Sequence, residues 1–226
     1  MFIKYRWYQI QFPSSDFDLS SILVDCLLTK NTSFGFLHID GAMGNSMFRF
    51  LLRTKVIVTL FDDEGTPSYE EVASVNFTDF AIVTIKGITF LRIENPGRNI
   101  RDLLNTLESL IGLGFTSKPL TFEKVKPTTA FESVKGTKLI GLKVNGAVID
   151  EDLVARMEFT SKKGMNIEDM KLLDRLNYKV VFAEFELIYK GVRGRVALAS
   201  SGLVTVSGQL APRLVYLIER DLPRLM

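Results

Sequence analysis

Catalysis needs reactive side chains within reach of one another, and this chain is short of them. His38, in FLHID, is the single histidine among 226 residues. A multi-histidine metal centre is therefore excluded, and no serine or cysteine has a second histidine-type base to activate it. An exposed or hydrogen-bonded strand histidine is the expected role for His38. Asp62, Asp63 and Glu64, with Glu70 or Glu71, have the oxygen chemistry of a hard-cation site. The same residues read more simply as a solvated acidic loop. GAMGNS, Gly41 to Ser46, has two glycines but no lysine and no phosphate-loop signature behind it, so it is read as a turn. Cys26 is the only cysteine. It has no disulfide partner in the chain and lies in the helical pattern LSSILVDCLL, where core packing is expected. These exclusions lead to a non-enzymatic protein with no cofactor and no metal.

Charge is what remains. Basic and acidic residues number 28 and 26, for a net charge of +2, far from the excess of a protein that grips nucleic acid mainly by charge. The bases are unevenly spread. Lys118, Lys124, Lys126, Lys135, Lys138 and Lys143 face only Glu123 and Glu132, and Lys190, Arg193 and Arg195 follow with no acid between them. With 46% apolar and 24% charged residues the chain has the composition of a folded domain. No apolar run reaches the length of a membrane span, and MFIKYRWYQIQF is too charged for the apolar part of a signal peptide. A cytoplasmic location without membrane association is the expectation.

Strand and helix patterns alternate along the chain. Met1 to Phe12 reads as a strand, and Asp16 or Ser15 is expected to cap a helix running through Leu28. SFGFLHIDGAMGNSMFRFLLRTKVIVTLF predicts two or three strands. FDDEGTPSYEE predicts a loop leading into a short helical turn, and FAIVTIKGITFLRIE a hairpin about Gly87. In NIRDLLNTLESLI, residues Ile100, Leu103, Leu104, Leu107, Leu110 and Ile111 form one helical stripe. Thr116 to Lys138, with Pro119, Pro127 and the lysines, reads as a linker. Beyond it, GLKVNGAVIDEDLVARMEF supplies strands, and Asn166 is expected to cap a helix with Ile167, Met170, Leu173 and Leu176 inward. VVFAEFELIYK, GRVALAS and GLVTVSG predict a meander, and Pro212 starts a last helix with Leu214, Val215, Leu217 and Ile218 on its apolar side. Each half thus ends in a hairpin and a helix.

SSGLVTVSG, Ser200 to Gly208, with the helix behind it, resembles the end of each repeat in the TATA-box-binding protein family, where a Ser-Gly turn joins two strands before a long helix. LGFTSKPLTFEK, Leu113 to Lys124, is similar to the segment that leaves the first repeat's helix and enters the second. The resemblance covers about residues 55–226. It implies an α+β saddle: a curved antiparallel sheet from two pseudo-repeats with helices on one face. The linker reading sets the repeats at 55–125 and 126–226, and residues 1–54, outside the resemblance, are expected to form a strand-helix extension packed on the first half. In that family the concave face enters the DNA minor groove and phenylalanine pairs wedge open base steps. Ala199 stands here where a wedge phenylalanine precedes SSG, Thr84 stands at the matching place before IKG, and Leu203 replaces a customary lysine. Phe182 is the residue that matches one member of a wedge pair.

Alternation along FAEFELIYK places Ala183, Phe185, Leu187 and Tyr189 on the helix side, and Phe182, Glu184, Glu186 and Ile188 on the other. Arg156, Glu158, Arg195, Thr205 and Ser207 are expected to join the second set, with Arg156 or Arg195 pairing to Glu184 or Glu186. The resulting contact surface comprises Lys118, Lys124, Lys126, Lys135, Lys138, Phe182, Lys190, Arg193, Arg195, Thr205 and Ser207. By resemblance its partner is DNA, in transcription or genome maintenance. The alternative is a protein partner, with the chain an interaction subunit of a multi-component complex, because carboxylates in mid-sheet repel phosphate.

Overall fold

The computed structural model describes residues 1–14, 17–41, 46–122, 131, 134–150, 153–174 and 176–225. The fold is α+β and mostly antiparallel sheet, with three α-helices among the described residues. In chain order the elements are β1 (Phe2–Gln11), α1 (Leu19–Asp25), β2 (Phe34–Asp40), β3 (Ser46–Phe61), β4 (Pro67–Ile85), β5 (Ile88–Glu94), α2 (Ile100–Ile111), β6 (Thr116–Pro119), β7 (Lys138–Asp150), β8 (Leu153–Thr160), β9 (Lys179–Tyr189), β10 (Val192–Ala199), β11 (Leu203–Ser207) and α3 (Ala211–Leu225). The chain forms two compact units. One comprises Met1–Gln9, Val83–Arg92 and Lys118–Met226, the other Ile10–Ile82 and Ile93–Ser117.

In the first unit the strands run in the order β5-β1-β11-β10-β9-β7-β8. β1 lies inside this sheet and pairs antiparallel with β11, Lys4 opposite Thr205. Two of its hairpins turn on a residue and a glycine that both have positive φ, Lys86-Gly87 and Lys190-Gly191, the pairing that a tight primed turn requires. One parity of side chains packs inward: Ala183, Phe185 and Leu187 from β9, Val196 and Leu198 from β10, Val204 and Val206 from β11. Against them α3 lays Leu214, Val215, Leu217, Ile218 and Leu222, as the 3.6-residue period of its apolar positions dictates. Each such side chain contributes about 1.5–3 kcal/mol by leaving water.

Beneath the same helix lies a buried ionic contact. Arg92 of β5 is 2% exposed and Glu219 of α3 is 4% exposed. Arg92 donates to Glu219 at 2.8 Å, and the Trp7 indole N–H of β1 donates to the same carboxylate oxygen at 3.3 Å. Glu219 sits four residues after Val215 and three before Leu222, on the stripe that faces the sheet.

The segment after α2 is no free tether up to Phe122. Leu120 donates its N–H to the Trp7 carbonyl, Phe122 donates to the Ser200 carbonyl, and both side chains are buried. This strap crosses the turn between β10 and β11, where Gly202 donates to Ala199. Gly202 has φ +85°, as its tight turn demands, and a Cβ there would lie 1.8 Å from the Leu120 carbonyl oxygen.

Two expected helices differ from what forms. α1 is capped by Asp18, whose carboxylate accepts from Ser20 N–H at 3.0 Å, and it ends at Asp25. Cys26 is half-buried beyond its end, because its carbonyl is taken by Phe36 N–H of β2 at 2.7 Å. The expected cap residues Ser15 and Asp16 lie outside the described residues. After Asn166 only a 3-10 turn forms, Ile167–Asp169. Backbone bonds run from Met170 to Ile167, Leu173 to Met170 and Leu176 to Leu173. Apolar residues recur there every third position, the period of a 3-10 turn rather than of an α-helix, so Ile167, Met170 and Leu173 dock beside Leu142 and Val144 without one.

In the second unit β3 pairs with β2 and β4. Its core is aromatic: Phe36 stacks obliquely on Phe50 with centroids 5.3 Å apart, and Phe48 on Phe80 at 5.8 Å. α2 buries Leu103 and Leu107 of its predicted stripe. The short helical turn expected in FDDEGTPSYEE does not form, because Pro67 opens the long strand β4 and its residues pair with β3 from the first position.

Two stability outcomes follow. Glu219→Ala removes the carboxylate shared by the buried Arg92 guanidinium and the Trp7 indole and is expected to cost about 3–5 kcal/mol in urea unfolding, while Arg92→Met with Glu219→Leu recovers most of it. Gly191→Ala, with φ +78° and nothing within 4 Å of a new Cβ, is expected to cost only the left-handed penalty of about 1–2 kcal/mol. Gly202→Ala is expected to cost clearly more, because the Leu120 backbone must move. Equal unfolding midpoints for the two alanines would contradict the strap.

Candidate interaction surface

Register brings the outward parity of the first unit into rows. Lys4 lies opposite Thr205, Thr205 opposite Ala197, Ala197 opposite Glu184, and Glu184 opposite Gly141. The neighbouring rows carry Phe2, Ser207, Arg195, Glu186 and Lys138 on one side, and Arg6, Leu203, Ala199, Phe182, Lys143 and Glu158 on the other. With Arg156 and Arg193 this face has, among the described residues, seven cations against three carboxylates. Each carboxylate is matched. Arg193 donates to Glu186 at 2.7 Å, Arg195 lies 3.8 Å from Glu184, and Lys143 lies 2.9 Å from Glu158. The expected pairing of Arg195 is thus formed with Glu184. Arg193, first through its hydrogen bond and then through its charge, holds the Glu186 carboxyl below the ordinary glutamate range, with Lys138 and Arg195 adding to it.

Between these groups lies a shallow cavity of about 170 Å³ lined by Phe2, Phe182, Glu184, Arg195, Ala197 and Thr205. It is below the roughly 300 Å³ at which small-molecule sites begin. Phe182 is half-buried at its wall, with the Lys143 ammonium 5.6 Å from its ring centre. Ile188 and Phe2 are exposed apolar residues on the same face.

The other residues expected at a contact surface divide. Lys118 and Lys135 are exposed, the first on β6, which pairs with β1, and the second in the turn before β7. Lys190 forms the β9–β10 turn, where its carbonyl accepts from Arg213 at 2.6 Å. The Ser207 hydroxyl is taken up internally, accepting from Arg195 N–H at 3.1 Å. Lys124 and Lys126 lie outside the described residues. At the positions compared with wedge phenylalanines, Ala199 is half-buried under the strapped turn and the Thr84 hydroxyl meets that of Thr89 at 3.2 Å.

A second surface belongs to the other unit and escaped the sequence reading. Beyond its aromatic core, the β3–β4 hairpin continues as a two-stranded ribbon from Lys55 opposite Ala73 to Phe61 opposite Pro67. Seven residue pairs make it roughly 20 Å long. Every residue from 55 to 73 is exposed. Ile57, Phe61 and Tyr69 share one side at 71%, 68% and 72% exposure. The tip is ordered, since the Asp62 carboxylate accepts from the N–H of Glu64 at 3.0 Å and of Thr66 at 2.7 Å. This is a turn-forming role, and among the described residues no group of three or more histidine, cysteine or acidic side chains is placed to hold a metal ion. Glu71 pairs with Lys55 along the ribbon. VIVTLF lacks polar alternation, a pattern usually left by a strand buried on both faces, so sequence gave no sign of exposure on both.

His38 meets the Ser46 hydroxyl at 2.8 Å and the edge of Phe48, a satisfied, exposed strand histidine. No helix among the described residues is long and apolar enough to cross a membrane. Compared with known protein families, curated proteins and solved structures, the chain matches none.

Glu186 supplies a test of the electrostatic arrangement. Its lowered pKa means that its share of stability is present above the ordinary glutamate pKa and is lost as pH falls through the lowered one. In a carboxyl NMR titration its midpoint is expected below those of unpaired glutamates, and Arg193→Ala should raise it. An unchanged midpoint would contradict the pairing.

Proposed function

We propose that this chain is a non-enzymatic protein-interaction subunit of a larger assembly, with the 55–73 ribbon as its contact element. The observation that carries this reading is the ribbon's exposure. A two-stranded hairpin is marginal in water without a covering surface, and contiguous exposed apolar side chains mark interaction sites. Phosphate is a poor partner for it, because Asp62, Asp63, Glu64, Glu70 and Glu71 oppose a single lysine, Lys55.

The second reading, a nucleic-acid module on a TATA-box-binding-protein-like saddle, is favoured by Lys138, Arg193 and Arg195 around Glu186 and by Arg156 on the same sheet. In that reading affinity comes from counterion release rather than from wedged base steps.

A photo-crosslinking residue in place of Phe61 is expected to give discrete protein adducts in the source cell. A labelled DNA duplex is expected to bind weakly at low salt, to be lost at physiological salt, and to be weakened further by Lys138→Gln with Arg193→Gln. Tight, sequence-selective and bent complexes with no protein adducts at position 61 would overturn the protein-partner reading in favour of the second.

A further inference from the structure

We infer that the ribbon of one molecule docks on the outward sheet face of a second copy of the chain. The inference rests on the protein-partner reading above and names the partner. The ribbon is exposed along its whole length and the sheet face presents exposed Phe2, Lys4, Lys138, Ile188, Arg193 and Arg195, so each is available to another molecule. Their charges are opposite. The ribbon sets five carboxylates against Lys55, while the sheet face sets seven cations against three carboxylates that are already matched. Two ribbons brought together would place like charges side by side, which disfavours the symmetric alternative.

Shape agrees with charge. Ile57, Phe61 and Tyr69 project from one side of the ribbon. The 170 Å³ cavity on the sheet face has apolar walls from Phe2, Phe182 and Ala197. It is too small for an ordinary ligand and suits a single aromatic side chain of the ribbon. The carboxylate of Glu184, the guanidinium of Arg195 and the hydroxyl of Thr205 at its rim offer a phenol partners that a phenylalanine would leave unused, so Tyr69 is the residue assigned to it. Such a contact is heterologous, pairing different surfaces of the two molecules. A ribbon of this length presents fewer residues than the roughly 20–30 a side of a standard stable interface, so association in the micromolar range is expected.

The test uses the full chain. In sedimentation equilibrium at low salt, the wild-type mass is expected to rise above 25.5 kDa with concentration and to fall back as salt increases. Phe61→Ser with Tyr69→Ser removes the ribbon's aromatic side chains and leaves the sheet face intact. Lys138→Glu with Arg193→Glu cancels the net positive charge of the sheet face, five cations then facing five carboxylates, and leaves the ribbon intact. All four side chains are exposed, so unchanged circular dichroism is expected, with a small fall in melting temperature for the second variant, whose new glutamates lie beside Glu186. Each variant alone should sediment as a monomer, and an equal mixture should give a one-to-one complex, since one variant contributes a working ribbon and the other a working face. A wild type that stays monomeric, variants that still self-associate, or a mixture that stays monomeric would overturn the inference. A monomeric wild type whose position-61 adducts are to a different protein sinks the second copy alone. A monomeric wild type with no protein adducts sinks the underlying reading too.

Discussion

A carboxylate held under a helix governs the first unit. Glu219 accepts from Arg92 on β5 and from Trp7 on β1, so α3 docks over the sheet in the one position that gives this buried charge its partners. An apolar stripe alone tolerates sliding by a turn at modest cost. A buried ion pair does not, because displacement leaves both charges without water and without each other. With α3 fixed, alternation decides the rest. The parity of Ala183, Phe185, Leu187, Val196, Leu198, Val204 and Val206 is buried, and the parity of Phe182, Glu184, Glu186, Arg193 and Arg195 is turned outward.

How much of this could be read in the residues depended on whether the pattern was local. The β9–β11 meander, the α2 stripe, the hairpin glycines at 87 and 202, and the division of FAEFELIYK into two faces all follow from periods of two or 3.6 and from turn chemistry within a few residues. Ile167, Met170, Leu173 and Leu176 suggest an α-helix that does not form, because a spacing of three resembles a helical stripe over so short a stretch. Arg92 and Glu219 are 127 residues apart, so nothing local tied them together. Even so, a glutamate on the stripe of Val215 and Leu222 was a legible oddity. The ribbon was invisible for a different reason: an apolar strand has the same sequence whether a sheet or only solvent lies beside it.

The Ser200–Gly202 turn illustrates the limit of a resemblance carried by short motifs. A small-residue hairpin suggests a bare surface on which something large can approach the backbone. Something does approach it, but it is the chain's own Leu120–Phe122 strap, whose carbonyl oxygen at Leu120 leaves no room for a side chain at 202. The small residues of that turn are accounted for by this internal contact, so they give no independent support to a DNA-facing saddle.

The matched carboxylates of the outward face carry the remaining distinction between partners. An exposed ion pair is worth about 0–1 kcal/mol, because each member exchanges it for water at little cost. Arg193 and Arg195 can therefore leave Glu186 and Glu184 for an incoming anion with little loss, but the glutamates then stay behind, facing whatever has arrived. A polyanion must sit close to all of them along its length. A ribbon that mixes carboxylates with Ile57, Phe61 and Tyr69 can instead place its charges over the arginines and its apolar groups over Phe2 and Phe182. On the proposed reading, the same arrangement favours a protein surface of alternating character over phosphate.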